Sequence, residues 1–152
     1  MKYYLLALVF TVLISCESDK KTEDIDYVTK NEQEITAYIA ENNLEAKKSD
    51  SGLYYVINEA GTGAQPIATS NVTVAYKGYY INGNVFDESD AEGISFGLNQ
   101  VIKGWTEGIP YFKEGGNGIL LVPADLGYGN NDYRGIPGGS VLIFDVRLIS
   151  VN

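Results

Sequence analysis

The chain has 152 residues, of which 45% are apolar and 17 are glycine, a balance typical of one loop-rich globular domain with short additions. Its 11 basic and 20 acidic side chains give a formal net charge of −9, which argues against binding of nucleic-acid phosphates. Histidine is absent and Cys16 is the only cysteine, which excludes a histidine general base, histidine-bound zinc and an intrachain disulfide. We therefore expect no metal and no cofactor, and chemistry carried by carboxylates, tyrosines, backbone groups or shape.

Residues 1–15 predict an export signal. Lys2 is followed by an apolar run too short to span a bilayer comfortably, and the small Ser15 precedes Cys16. The letters LISC at 13–16 resemble the bacterial lipobox, where the chain is cut before a cysteine that is then acylated. We expect removal of 1–15 and several acyl chains on Cys16, which would hold the protein to a membrane. The alternatives are an ordinary signal peptide or a buried helix that carries a cysteine by chance.

The next two segments are predicted to link this anchor to a folded domain. Residues 16–30 read as a lipidated tether, because they are mostly polar and cannot bury enough apolar surface to order themselves. Residues 31–51 read as a short amphipathic helix over 31–43 and a linker, with Asn31 as the helix cap. One face of that helix would carry Ile35, Tyr38 and Ile39. We interpret it as a packing or spacer helix without a site.

From residue 52 onward the pattern changes to short strands separated by glycines. Strands are predicted at 53–57, 72–81, 84–89, 95–98, 118–123 and 141–151, with a hairpin at Asn82-Gly83. Residues 103–112 carry the only helical pattern of this half, and 124–140 form a long glycine-rich loop. In the last strand, period-two spacing places four residues on one face: Leu142, Phe144, Val146 and Leu148. The pattern predicts an α+β domain over 52–152, built on an antiparallel sheet.

Five sequence blocks then point to one family. They are VAYKG (74–78), VFDES (85–89), FGLNQVIKGWTEGI (96–109), LVPADLGYG (121–129) and GIPGGSVLIFDVRLISV (135–151). In order and approximate spacing they resemble the blocks of FKBP-type peptidyl-prolyl cis-trans isomerases, over about residues 52–152. The resemblance implies an antiparallel sheet wrapped on one short helix, here with an extra N-terminal helix. It also implies an enzyme that accelerates rotation about X-Pro bonds in polypeptides.

The resemblance further implies a pocket for the proline ring. Trp105 would be its floor, and Tyr76, Phe86 and Phe144 its walls. Val101 and Ile102 would form one rim, with the Ile102 backbone N–H donating to a substrate carbonyl. Tyr128 would donate a hydroxyl hydrogen bond, Asp87 would be the one carboxylate, and Ile136 would close the loop side. The catalytic set is thus Tyr76, Phe86, Asp87, Trp105 and Tyr128, and the substrate-binding set is Val101, Ile102, Ile136 and Phe144.

Four departures from the family pattern bear on specificity. A family arginine that often pairs with the pocket aspartate has no clear counterpart, and Ile94 replaces an aromatic residue at the pocket edge. The loop tip NNDYRG and the PGGS at 137–140 also differ from usual family versions. These differences concern substrate preference, rate and the affinity for macrolide inhibitors, which the resemblance allows as ligands.

The expected partners are proline-containing polypeptides and, through lipid on Cys16, a membrane of the cell envelope. Whether that membrane is inner or outer, and whether the domain is periplasmic or surface-displayed, stays open. The plan of lipid anchor, short helix and one such domain resembles lipoproteins of the Bacteroidota, including gliding-motility-associated ones. The alternative functions are a proline-recognising or chaperone module with little turnover, and a structural lipoprotein of a surface machine.

Overall fold

The structure, a computed structural model, describes residues 26–152. Within this range the elements are α1 (Tyr27–Glu41), β1 (Lys47–Lys48), β2 (Tyr54–Glu59), β3 (Asn71–Tyr79), β4 (Val85–Glu88), β5 (Ile94–Gly97), α2 (Lys103–Gly108), β6 (Asn117–Val122) and β7 (Leu142–Val151). Short 3-10 turns follow β5, α2 and β6. Neither helix is long and apolar enough to cross a bilayer. The predicted signal peptide, Cys16 and most of the predicted tether lie outside the described residues.

The strands form one antiparallel sheet in the order β1-β2-β6-β7-β3-β4. β7 lies inside the sheet and pairs with β6 and β3. Two strands share the other edge of β3: its first half pairs with β5 and its second half with β4. The predicted turn at Asn82-Gly83 connects β3 to β4, and Gly83 has the positive φ (84°) that such a turn favours. The predicted α+β class with an antiparallel sheet is confirmed.

One face of the sheet packs on α2. The helix approaches closely because Gly104 and Gly108 face the strands: a Cβ atom on either would lie 2.6 Å from Val122 or 2.8 Å from Leu120. The predicted inward face of β7 lies in this core. Fully buried side chains of the core include Leu53, Leu98, Ile109, Phe112 and Leu120. Burial of each such side chain contributes about 1.5–3 kcal/mol, so this layer holds α2 firmly against the sheet.

The opposite face of the sheet is covered by α1. Ile35, at 1% exposure, forms a second buried cluster with Tyr54 of β2, Leu121 of β6 and Ile143 of β7. Tyr38 and Ile39 pack against the same cluster, as the predicted helix face requires. The interpretation of α1 as a packing helix therefore agrees with its position.

The start of α1 differs from the prediction. The helix begins at Tyr27, inside the segment assigned to the tether, because Asp26 caps it: the Asp26 carboxylate accepts from the backbone N–H groups of Val28 and Thr29 at 3.1 and 3.2 Å. Asn31 is not the cap. It lies one turn inside the helix and is 1% exposed.

A short strand in the predicted linker also joins the sheet. β1 pairs with β2 through Lys47 and Lys48, which carry no apolar pattern. Lys48 forms an ion pair of 2.8 Å with Glu32 of α1, and the Tyr54 hydroxyl donates to the same carboxylate at 2.6 Å. These bonds hold the pKa of Glu32 below its usual range, the Lys48 hydrogen bond contributing most. The linker is thereby fastened to both the helix and the sheet.

Candidate functional site

A cavity of about 440 Å³ opens between the sheet and the start of α2. Eight of the nine residues predicted for the pocket line it: Tyr76, Phe86, Asp87, Val101, Ile102, Trp105, Tyr128 and Phe144. They come from β3, β4, β7, α2, the turn before α2 and the loop after β6. Ile94, Phe96 and Gln100 complete the lining. The structure therefore brings together residues that are far apart in the sequence into one mostly aromatic site.

The floor and walls of the cavity are perpendicular aromatic rings. Trp105 is 5% exposed, and its ring meets those of Tyr76 and Phe144 at centroid distances of 5.0 and 5.2 Å and angles of 85° and 82°. Phe86 meets Phe144 at 5.6 Å and 89°. Edge-to-face pairs of this kind add about 0.5–1.5 kcal/mol each beyond their burial. The rings are therefore held in fixed orientations before any ligand arrives.

A glycine beneath the rings makes this arrangement fit. Gly78 of β3 lies under two of the walls, and a Cβ atom there would stand 2.7 Å from the Phe86 ring and 3.0 Å from the Phe144 ring. The first distance is too short for a real Cβ atom and the second is tight, so a side chain at this position would displace Phe86. The VAYKG block thus supplies a wall residue and the space that two other walls need.

Two hydrogen-bond donors at the rim have no partner within residues 26–152. One is the backbone N–H of Ile102, the residue that caps α2; its carbonyl accepts from the N–H groups of Trp105 and Thr106 at 2.9 and 3.1 Å. The other is the hydroxyl of Tyr128, a side chain that is 40% exposed. A ligand that carries carbonyl oxygens can satisfy both donors.

The one carboxylate of the cavity is held by a tyrosine. The Tyr76 hydroxyl donates to Asp87 at 2.6 Å, a length typical of a bond to a charged acceptor. Burial, and then the Asp87 hydrogen bond, raise the pKa of Tyr76 above its usual range. Burial and the Asp87 charge also raise the pKa of Tyr128. Both phenols therefore stay protonated donors at neutral pH, and among residues 26–152 the side chain that donates to the Asp87 carboxylate is Tyr76.

Comparison with known proteins agrees with this geometry. The family model for FKBP-type peptidyl-prolyl cis-trans isomerases matches residues 63–149, more than half of the chain. The chain belongs to this family. The resemblance identified from the sequence blocks is thereby confirmed at the level of the FKBP family.

Relatives of known sequence or structure support the same assignment. The isomerase FkpA of Buchnera aphidicola is 45% identical over 107 residues, which are 69% of this chain and 44% of that protein. The crystal structure of FkpA from Escherichia coli superposes with a TM-score of 0.74 at 38% identity, covering 84% of this chain and 61% of that one. A peptidyl-prolyl isomerase structure from Pseudomonas syringae gives 0.72 at 29% identity, covering 85% and 98%. The chain spans less than half the length of the Buchnera relative.

One predicted pocket residue lies elsewhere. Ile136 does not line the FKBP cavity. It lines an adjoining groove, and the groove and the cavity share three residues: Phe86, Asp87 and Tyr128. The loop turns back at its tip, where Tyr133 and Ile136 pair as a β-bridge, and Ile136 packs against the core cluster beside the cavity. The expected closure of the loop side by Ile136 is therefore replaced by a second, open depression.

The sequence analysis missed the residue that fixes the loop bearing Tyr128. The Asn31 side chain of α1 accepts from the Ala124 backbone N–H at 2.8 Å and donates to the Gly139 carbonyl at 2.9 Å. Gly139 in turn donates to the Gly129 carbonyl at 2.9 Å, which closes the loop. No sequence signal marks this role, because an asparagine before a helical pattern reads as a cap.

Proposed function

We propose that the protein is a peptidyl-prolyl cis-trans isomerase that acts on proline-containing polypeptides. The proposal is carried by one arrangement: a cavity of perpendicular aromatic rings with two unpartnered donors, Ile102 N–H and Tyr128 hydroxyl, at its rim. A proline ring fits such a cavity, because a flat apolar floor and apolar walls grip it without needing a hydrogen bond. The polypeptide carbonyls beside the proline would take the two donors.

The reaction needs a lower rotation barrier and no broken bond. The peptide bond resists rotation by about 18–20 kcal/mol because its C–N bond is partly double. An apolar cavity disfavours the charge-separated resonance form of the amide and so weakens that double-bond character. The Tyr128 hydroxyl can bind the carbonyl oxygen more strongly when the amide is twisted, and preferential binding of the twisted state is what accelerates rotation. Asp87, held by Tyr76, would act through the charge it presents to the turning amide.

The test is exchange between the cis and trans forms of an apolar-Pro peptide, measured by NMR with the full chain in mild detergent. We expect acceleration at micromolar protein, with an apolar residue favoured before the proline because Val101 and Ile102 form an apolar rim. Binding without acceleration would instead favour a proline-recognising or chaperone module. Displacement of the peptide by a macrolide would measure the affinity of the cavity, with Ile94 at its edge, for such inhibitors.

We also propose that the protein is a lipoprotein of the cell envelope and that Cys16 carries its acyl chains. Support comes from the sequence alone: an apolar run, a small Ser15 and the single cysteine in lipobox order. The order of anchor, helix and FKBP domain resembles Bacteroidota lipoproteins, gliding-motility-associated ones included, and exported polypeptides would be the clients. Intact mass and detergent phase partition test the anchor: Cys16→Ser should lose the acyl mass and enter the aqueous phase, with isomerase activity unchanged. Wild-type protein without acyl mass would refute it.

A further inference from the structure

A second depression extends the site toward the loop tip. This groove, about 340 Å³, adjoins the cavity and shares Phe86, Asp87 and Tyr128 with it. Its remaining lining comes from Tyr80 and from the loop tip: Tyr133, Arg134, Gly135 and Ile136. A polypeptide with its proline in the cavity can extend across the shared residues into this groove. The groove is therefore placed to receive a side chain close to that proline.

The loop tip is a rigid platform. Tyr133 and Ile136 exchange two backbone hydrogen bonds of 2.9 Å, and the two residues between them, Arg134 and Gly135, have φ of 47° and 89°. Two successive positive φ values across a two-residue turn are typical of a tight type I′ turn. The Asp132 carboxylate accepts from the Gly138 N–H at 2.8 Å and ties the turn to the base of the loop. Arg134 is thus presented by a fixed backbone.

Arg134 is a cation without an acidic partner in the part of the chain that the structure describes. The two ion pairs found there both lie at α1 and use Lys30 and Lys48. The Arg134 guanidinium lies 5.3 Å from the centre of the Tyr133 ring, and that ring stacks on Tyr128 at 5.2 Å and 14°. A tyrosine pair therefore connects the rim donor of the cavity to an unpaired positive charge. Arg134 is the only cation among the residues that line the groove, so any attraction for an anion there comes from this one guanidinium.

We propose that this groove is a specificity subsite that binds an acidic side chain of the client polypeptide, one to three residues from the proline. The proposal rests on the proposed isomerase function. A glutamate or aspartate would pair with Arg134 while its methylenes lie on the Tyr128–Tyr133 stack. The groove's own carboxylate, Asp87, accepts from the Tyr76 hydroxyl and forms no ion pair with Arg134 within residues 26–152, so the guanidinium stays open to a second acid. A lysine in the same place would be repelled by Arg134.

The test uses apolar-Pro peptides with Glu, Gln or Lys at each of the three positions before and after the proline. NMR exchange gives kcat/KM, and fluorescence of Trp105, the only tryptophan, gives the dissociation constant. At low salt, at least one position should favour Glu over Lys by about three- to tenfold, as an exposed ion pair allows. The preference should shrink in high salt, because screening weakens exposed charges. It should vanish in Arg134→Gln and persist in Arg134→Lys.

A matched control removes the same charge elsewhere. Lys113 is exposed and lies before β6, at the opposite end of that strand from the loop, so Lys113→Gln should leave the preference intact. Equal rates for Glu and Lys peptides at every position, or a preference that survives Arg134→Gln, would overturn the subsite. If no peptide is accelerated, the isomerase proposal fails separately. The dissociation constants would then decide the subsite alone, through the same Glu, Lys and Arg134→Gln comparison.

Discussion

Replacement of Asn31 by alanine should destabilise the fold far more than a helix-surface asparagine would suggest. The change removes the acceptor of the Ala124 N–H and the donor to the Gly139 carbonyl. Ala124 is 1% exposed and Gly139 is buried, so neither backbone group can turn to water. An unpaired buried polar group costs about 1–3 kcal/mol, and we expect Asn31→Ala to lower the free energy of unfolding by about 2–4 kcal/mol.

Urea unfolding followed by circular dichroism measures this loss, and thermal unfolding should show a Tm lower by roughly 10 °C. Asn42→Ala is the control, because Asn42 lies at the other end of the same helix, is exposed, and its side chain donates one bond, to the Tyr38 carbonyl at 2.9 Å. That variant should lose less than about 0.5 kcal/mol. Equal losses in the two variants would refute the anchoring role of Asn31.

Two further measurements examine the two hydrogen bonds of the Asn31 side chain separately. Asn31→Asp keeps an oxygen for the Ala124 N–H but places a buried carboxylate against the Gly139 carbonyl and the Glu34 carboxylate, so its loss should be at least as large as that of Asn31→Ala. The Gly139 amide, which donates to Gly129, should exchange with solvent faster in both variants. Unchanged exchange at Gly139 would mean that the loop closes without help from α1.

Other predictions address the cavity itself. Asp87→Ala and Tyr128→Phe should each slow isomerisation roughly tenfold, about 1.4 kcal/mol, with urea midpoints unchanged; full activity in both would show that shape alone suffices. Trp105→Ala should cost about 3–5 kcal/mol of stability and weaken peptide binding by calorimetry, because it empties the floor. Burial raises the pKa of Tyr76, Tyr79 and Tyr128 above the usual 10.0, so the folded state keeps these protons longer than the unfolded chain. Stability in urea should therefore hold up to about pH 10 and fall above it, and a fall that begins near pH 8 would contradict this reasoning.

The sequence predicted elements with strong local patterns. Alternation placed the inward face of β7, and Asn82-Gly83 placed the β3–β4 hairpin, because a side-chain period of two and a positive φ leave clear traces. Most of the cavity followed from the order of the five blocks, which fixed Trp105 and Tyr128 without any structure. Phe96 and Gln100 were missed as lining residues, since their place depends on how β5 and its 3-10 turn bend beneath the cavity.

What the sequence could not supply were choices between equivalent residues. Asp26 and Asn31 are both good helix caps, and only the docking of α1 on the loop decides that Asn31 faces inward. β1 has two lysines and no apolar pattern, so it is a strand only because β2 offers a free edge. Ile136 lines the adjoining groove, where it pairs with Tyr133 across a tight turn that the sequence pattern does not mark. In each case long-range packing outweighs the local signal.

The position of β7 has a consequence for how the protein reaches its native state. β7 follows every other strand in the chain, yet it lies inside the sheet between β6 and β3 and forms part of the surface on which α1 rests. Until β7 emerges from the ribosome, β3 and β6 have no bond to each other, and the earlier half of the chain cannot close into a sheet. Such non-local pairing slows folding. The two parts of the sheet, β1-β2-β6 on one side and β3 with β4 and β5 on the other, can therefore join only when the last strand of the chain is available.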